Sequence, residues 1–303
     1  MLSLLFKIMS KVPLRLNYAL GSFATWTLHS VARYRRKVVE SNISSSFPEK
    51  TPDEIRRITR DFYRFLGDYF VETIAMATMS RDEMRRRMRF ENVEEVDAML
   101  AEGRDVSLML GHYCNWEWCS SIPLHMTSPC RAMQIYHPLS NKDADKAFRM
   151  LRGRFGATSV AMADTLRAIV ATRRDGIPGI TGYIADQAPL YESIRLFVDF
   201  LNHDTPVLTG AEKISRRIGA AMFYCDMRRE RRGHYVCRFV AMTPDASKEA
   251  PFAMTRLYWQ LLEQSIRRQP ELWLWSHRRW KRTREEMFRL LGEEAALRNL
   301  SSL

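Results

Sequence analysis

A chain of 303 residues, 46% of them hydrophobic, carries ample material for the buried core of one large α/β domain or two small ones, which excludes disorder as its default state. Its 47 Lys and Arg against 35 Asp and Glu give a formal charge of +12, attracting an anionic partner without choosing among anionic lipid, nucleic acid and an acidic protein. Five cysteines without a C-x-x-C pair argue against a disulfide framework and point to a reducing compartment.

The amino terminus, MLSLLFKIMSKVPLRLNYALGSFATWTLHSVARYRRKVV, is apolar but broken by Lys7, Lys11 and Arg15, and from Leu16 to Ala32 only Asn17 and His29 are strongly polar. A spanning helix needs about 20 mostly apolar residues, and a signal peptide needs a short apolar run with a small-residue cleavage site; neither pattern fits. An apolar helix closed by Arg33, Arg35, Arg36 and Lys37 fits interfacial attachment to an anionic cytoplasmic leaflet, with a core helix of the folded domain as the alternative. The expected division is a membrane-associating segment at residues 1–40 and a single domain at 41–303.

Thr51-Pro52-Asp53-Glu54 opens the next predicted helix: a capping threonine, proline at the first helical position and early acidic residues. Ile55, Ile58, Phe62, Phe65, Leu66, Tyr69 and Phe70 then recur at helical spacing. NVEEVDAMLAEG reads as a helix closing at Gly103, and DVSLML as a short buried strand. The alternation continues with RAMQIY as strand, KDADKAFRMLRGRFG as helix ending at Gly156, ATSVAM as strand, DTLRAIVATRRDG as helix ending at Gly176, and IPGITGYIAD as strand and loop. TGAEKISRRIG follows as helix, AAMFYCDMRR and HYVCRFVAM as strands paired around Glu230 to Gly233, and FAMTRLYWQLLEQSIRRQP as a long helix stopped by Pro270. Strand and helix taking turns predict an α/β fold with a mostly parallel central sheet flanked by helices.

In such sheets ligands gather beyond the carboxyl ends of strands. His112 follows VSLML directly, and ADQAP follows GITGYI. In GHYCNWEW, Glu117 stands where a turn after Gly111 could bring it against the ring of His112, fixing the tautomer and stabilising the imidazolium while the free nitrogen takes a proton from a substrate hydroxyl. Cys114 is the competing nucleophile, for an acyl-enzyme route. With Cys119 and His112 it makes only three soft ligands and no fourth, so no metal or other cofactor is expected. On spacing alone, a histidine satisfied by structural hydrogen bonds explains the pair better than a catalytic one does.

The wider pattern resembles the bacterial lipid A late acyltransferases, the lauroyl and myristoyl transferases of the lysophospholipid acyltransferase superfamily. GHYCNWEW is similar to that family's H-x-x-x-x-E block, and RAMQIYHPLSNKDADKAFRMLRGRFGA to the following block with R-x-R-x-G. YIADQAP is similar to the Asp-Gln block, and PELWLWSHRRWK to the carboxyl-terminal signature. The resemblance implies His112 as general base with Glu117 as its orienting partner, and a substrate site that includes Arg152, Arg154, Asp186 and Gln187. It also implies Arg278, Arg279 and Lys281 as phosphate or membrane contacts. One departure stands out: Phe200-Leu201-Asn202 replaces the family's usual Phe-Phe-Gly or Phe-Leu-Gly.

The implied reaction is transfer of an acyl chain from an acyl thioester, on acyl carrier protein, to a hydroxyl of a lipid A precursor at the cytoplasmic face of the inner membrane. The same chemistry on an aminolipid or lysophospholipid is the alternative acceptor reading. A non-enzymatic basic protein on membrane or nucleic acid is the remote one, and no nucleic-acid motif supports it, so no nucleic-acid partner is expected.

Overall fold

A computed structural model of the chain describes residues 9–300; Lys7 and the apolar residues before it lie outside the described part. Helix α1 (Leu14–Ser30) is followed by α2 (Arg36–Ser46) and by the long α3 (Pro52–Ala75). The start of α3 is as its sequence dictates: the Thr51 side chain accepts from the Glu54 backbone N–H while the Glu54 carboxylate accepts from the Thr51 backbone N–H, with Pro52 in the first turn. α1 lies along α3, burying Asn17, Tyr18, Gly21 and Thr25. No helix among the described residues is long and apolar enough to cross a membrane.

The chain then builds α4 (Arg81–Arg87), β1 (Met88–Glu91), α5 (Val93–Ala101), β2 (Val106–Leu110), β3 (Arg131–Tyr136), α6 (Lys142–Gly153), β4 (Thr158–Ala161), α7 (Thr165–Arg174) and β5 (Gly179–Ile184). An antiparallel pair, β6 (Leu196–Phe200) and β7 (His203–Val207), precedes α8 (Gly210–Ile218), β8 (Ala221–Arg231), β9 (His234–Thr243), α9 (Ala253–Arg268), α10 (Arg284–Leu291) and α11 (Glu293–Leu300). The main sheet has seven strands in the order β1-β9-β8-β2-β5-β3-β4, and β8–β9 is its single antiparallel pairing. The mostly parallel α/β arrangement expected from the alternating pattern is therefore present, with α2, α4, β1, the β6–β7 pair, α10 and α11 as additions.

β2 lies between β8 and β5, and all five of its residues are buried, which is why VSLML is apolar with a lone serine. The chain leaves β2 toward β3 and leaves β5 toward β8, in opposite directions along the sheet. The parallel register sets Leu110 beside Ile184, so the residues that follow each strand emerge side by side. That edge holds His112 and Asp186.

Candidate active site

The segment after β2 turns sharply. Gly111 has no room for a side chain: a Cβ there would stand 2.7 Å from Leu262 Cδ1 and 3.3 Å from an Asp186 carboxylate oxygen. Cys114 takes a left-handed conformation (φ 58°), Tyr113 bridges Trp273, and Glu117 leads into a short 3-10 turn, Trp118–Leu124. Backbone hydrogen bonds from Cys114 N to Leu272 O (2.9 Å) and from Leu274 N to His112 O (3.1 Å) stitch this segment to the chain after α9.

The carboxylate that holds His112 is Asp186. Its Oδ1 lies 2.6 Å from His112 Nδ1, and its Oδ2 accepts from the His112 backbone N–H (2.8 Å) and from the Trp273 indole N–H (2.8 Å). Burial alone would push the Asp186 carboxyl up; the His112 ring, the Trp273 indole and the His112 backbone N–H outweigh it and hold it below the usual carboxylate range. With Nδ1–H donated to Asp186, the lone pair of His112 Nε2 faces outward, toward the Gln187 side-chain nitrogen at 3.2 Å. The Trp116 ring meets His112 edge-on at 5.2 Å.

Glu117 is buried nearby but makes no hydrogen bond to His112. Arg152 engages both of its oxygens, Nε to Oε2 at 2.7 Å and Nη2 to Oε1 at 2.6 Å, and the Tyr69 hydroxyl stands 3.4 Å from Oε1. The expectation that Glu117 orients the histidine is thus corrected: the short sequence spacing is spent on the 3-10 turn, and the carboxylate points to α6 instead of back along the chain. Arg152 is the residue Glu117 orients. A planar fork held at Nε and Nη2 has its plane fixed, and its Nη1 makes no hydrogen bond among the described residues.

Of the six residues singled out, His112, Asp186 and Gln187 come together directly, and Glu117 with Arg152 forms a second pair linked to them through Trp116 and Tyr69, whose rings lie 4.2 Å apart. Arg154 is elsewhere, donating to the Met79 carbonyl at 3.0 Å. Cys114 is fully buried with its thiol pushed far up by desolvation, which leaves no nucleophilic thiolate. Arg279 is also fully buried, correcting its expected place among surface contacts, whereas Arg278 and Lys281 are exposed.

Three participants escaped the motif reading. Trp273, inside the PELWLWSHRRWK block, carried no site role from the sequence, yet its indole N–H completes Asp186. Tyr69 read as one apolar position of a helix, and its hydroxyl faces Glu117. His277 accepts the Ala188 backbone N–H at 3.3 Å, and burial first of all holds it neutral, down to about 4. A polar-tipped aromatic beside the terminal basic run was the only available signal for the first of these.

The arrangement suits proton abstraction and anion stabilisation: a histidine with one nitrogen held by a carboxylate and the other facing only an amide, and a guanidinium fixed by its own carboxylate and joined to the histidine through the Tyr69 and Trp116 rings. Compared with known proteins, residues 2–282 match the family described as bacterial lipid A biosynthesis acyltransferase. The chain is 25% identical over 211 residues to a lipid A biosynthesis acyltransferase of Haemophilus influenzae, a match covering 69% of this chain and 64% of that protein. It is 23% identical over 254 residues to a lipid A biosynthesis palmitoleoyltransferase of Escherichia coli strain K12, covering 82% and 79% of the two chains. A lipid A biosynthesis acyltransferase of Shigella flexneri matches with the same identity and coverage.

Proposed function

We propose, for a chain that belongs to the bacterial lipid A biosynthesis acyltransferase family, that it moves a fatty acyl group from the thioester of acyl carrier protein to a hydroxyl of a lipid A precursor. The observation that carries the reading is the His112–Asp186 pair at the carboxyl edge of β2 and β5, with Nε2 free to receive a proton. His112 Nε2 takes the proton of the acceptor hydroxyl as its oxygen attacks the thioester carbonyl. The imidazolium that forms faces Asp186, which stabilises it. The tetrahedral oxyanion is offered the Arg152 guanidinium, which Glu117 holds in place. Collapse expels the carrier's thiolate, and the proton on His112 passes to it, leaving ester, free thiol and neutral histidine. Gln187 guides the acceptor by donating to the same nitrogen before the hydroxyl replaces it.

In this reading, residues 1–40 associate with the cytoplasmic face of the inner membrane and residues 41–303 form the acyltransferase domain. In support, α1 exposes Leu16, Leu20, Phe23 and Trp26 along one side while the other packs on α3. Such a helix lies in the interface, beside lipid acceptors.

The purified protein, given an acyl carrier protein thioester and a lipid A precursor, should form the acylated lipid, and His112→Ala should abolish the product. Wild-type turnover by that variant would sink the mechanism. The acceptor is named by mass spectrometry of lipids from cells lacking the protein: the lipid that loses a chain is the acceptor, and a missing chain on an aminolipid or lysophospholipid would replace lipid A in this reading.

A further inference from the structure

An open cavity of about 560 Å³ lies where α4 and β1 meet the β8–β9 turn, and its walls are mostly arginine. Two of its guanidinium groups are already matched: Arg87 Nε donates to Glu83 Oε1 at 2.9 Å, and Arg89 Nη2 to Glu230 Oε1 at 2.5 Å. Arg86 and Arg231 complete the set, both exposed and neither within ion-pair reach of a carboxylate among the described residues. Four arginines against two glutamates leave the cavity with a net charge of +2. The His234 ring in the same wall adds none, since burial first, and then the charges of Arg231 and Arg87, hold its pKa below the ordinary value.

The cavity lies at the same end of the sheet as His112. β8 runs parallel to β2, with Tyr224 beside Met109, and continues to Arg231, so its hairpin tip reaches on the order of 20 Å past the carboxyl end of β2. The same tip is clasped to α1. Arg87 Nη1 donates to Gly233 O at 3.2 Å, a Cβ at Gly233 would collide with the Tyr18 hydroxyl, and Arg232 Nη2 donates to Ser22 Oγ at 2.9 Å. Tyr18 and Ser22 stand on either side of Leu20, one of the apolar residues that α1 exposes. A helix seated at the boundary between acyl chains and headgroups holds its polar neighbours among the headgroups.

We infer that this cavity binds the headgroup of an anionic glycerophospholipid: Arg86 and Arg231 take the phosphodiester, and the Glu83 and Glu230 carboxylates, held by Arg87 and Arg89, accept from headgroup hydroxyls. An arginine fork matches phosphate oxygens by shape as well as by charge. The two carboxylates select the class of occupant. They repel the clustered carboxylates of an acidic protein, whereas a singly charged phosphodiester that carries a glycerol offers them hydrogen bonds. The inference rests on α1 as an interfacial helix and adds to it a site selective for one kind of lipid.

Flotation of the full chain with vesicles of phosphatidylcholine, alone or mixed with phosphatidylglycerol, tests the site at one fixed salt concentration. Wild type should prefer the mixed vesicles, and Arg86→Gln/Arg231→Gln should weaken binding to them by about tenfold or more, each arginine near an anionic surface contributing roughly a factor of five. Binding to phosphatidylcholine alone should stay as in wild type, because α1 is untouched. Arg174→Gln/Arg217→Gln removes the same charge at exposed positions just before β5 and β8, on the opposite edge of the sheet, and should cost less than about threefold. Equal losses in the two double variants would reduce the preference to overall charge and overturn the site. Loss of acyl carrier protein binding in Arg86→Gln/Arg231→Gln, with the lipid preference intact, would overturn it in favour of an acidic protein. Saturation by inorganic phosphate, with vesicle binding unchanged by the cavity substitutions, would overturn it in favour of a free-phosphate site. Equal binding of phosphatidylcholine by wild type and Phe23→Ser/Trp26→Ser would remove the interfacial reading of α1 by itself, since the cavity is judged on the difference between the two kinds of vesicle.

Discussion

Glu72 shows how a single buried carboxylate ties the molecule together. Fully inaccessible on α3, it accepts from the hydroxyls of Tyr18 and Tyr235 and from the Asn115 amide, each at 2.7 Å. Desolvation outweighs these donors and lifts its pKa from 4.5 to about 7. A folded-state pKa above the unfolded value means that the native state binds the extra proton, so stability falls as pH rises through the window between the two, by about 3 kcal/mol from this group. Urea unfolding of Glu72→Gln across pH 4 to 8 should show that slope flattened; an unchanged slope would contradict the assignment. The two carboxylates of the site differ in what their loss does. Asp186→Asn should lower kcat by roughly 10²- to 10⁴-fold with the fold intact, since the ring loses its anionic partner. Glu117→Gln strips a half-enclosed guanidinium of its charge partner and should cost stability as well, on the order of 3 kcal/mol by denaturant unfolding. The chemical types at His112, Glu117, Arg152 and Asp186 were legible in the chain, but their pairing was not. Local spacing favoured Glu117 as the partner of His112, and only the register of β2 against β5 brings Asp186 across a separation of 74 residues.

At the scale of elements, α1 and α3 touch backbone to backbone. A Cβ on Gly67 would fall 2.8 Å from the Gly21 carbonyl and 2.8 Å from Thr25 side-chain atoms, so neither helix can yield cheaply. Gly67→Ala would gain about 1 kcal/mol of helix propensity but should lose more by pushing α1 outward, a net cost of about 1–2 kcal/mol. Limited proteolysis should then cut α1 sooner; equal or slower cutting would show that the contact is not holding it. The β6–β7 turn explains the unusual Phe200-Leu201-Asn202. Both Leu201 (φ 49°) and Asn202 (φ 65°) are left-handed between the paired Phe200 and His203, the two-residue hairpin turn in which asparagine takes the place of the glycine usual in the family. The elements that local pattern announced, α3 and β2 through β5 among them, were found close to where periodicity placed them. β1 was hidden within an arginine-rich stretch because nothing in MRFE marks a strand; its pairing with β9 makes it one. The β6–β7 pair was hidden by a proline at position 206, which a two-stranded edge tolerates.

Across the whole molecule, the excess of positive charge divides into struts and surface. Arg232 bonds Asp68 and lies 4.2 Å from the Tyr18 ring centre, Arg228 pairs with Glu91, Arg85 caps the Leu124 carbonyl and Arg35 reaches the Ser276 carbonyl at 2.8 Å. Several of the arginines behind the positive excess are thus consumed in fastening α1, α2 and the β8–β9 hairpin to the core. The clearest outward-facing feature of the amino-terminal region is instead apolar, with Phe23 69% and Trp26 59% exposed. Flotation with anionic vesicles should therefore show more than a tenfold loss of binding in Phe23→Ser/Trp26→Ser, as each ring withdraws roughly 1.5–3 kcal/mol of burial in lipid. Binding that falls only with added salt and ignores the double substitution would assign attachment to charge alone. One feature also bears on synthesis of the chain. The histidine segment is made early, but Asp186 is completed by Trp273, and the His112 backbone is pinned by Leu274. A nascent chain that has not yet reached these tryptophan-rich residues carries every side chain of the proposed proton relay without its final clasp, so catalytic competence waits for residues 273 and 274, and a truncation before residue 273 should be inert even if its sheet forms.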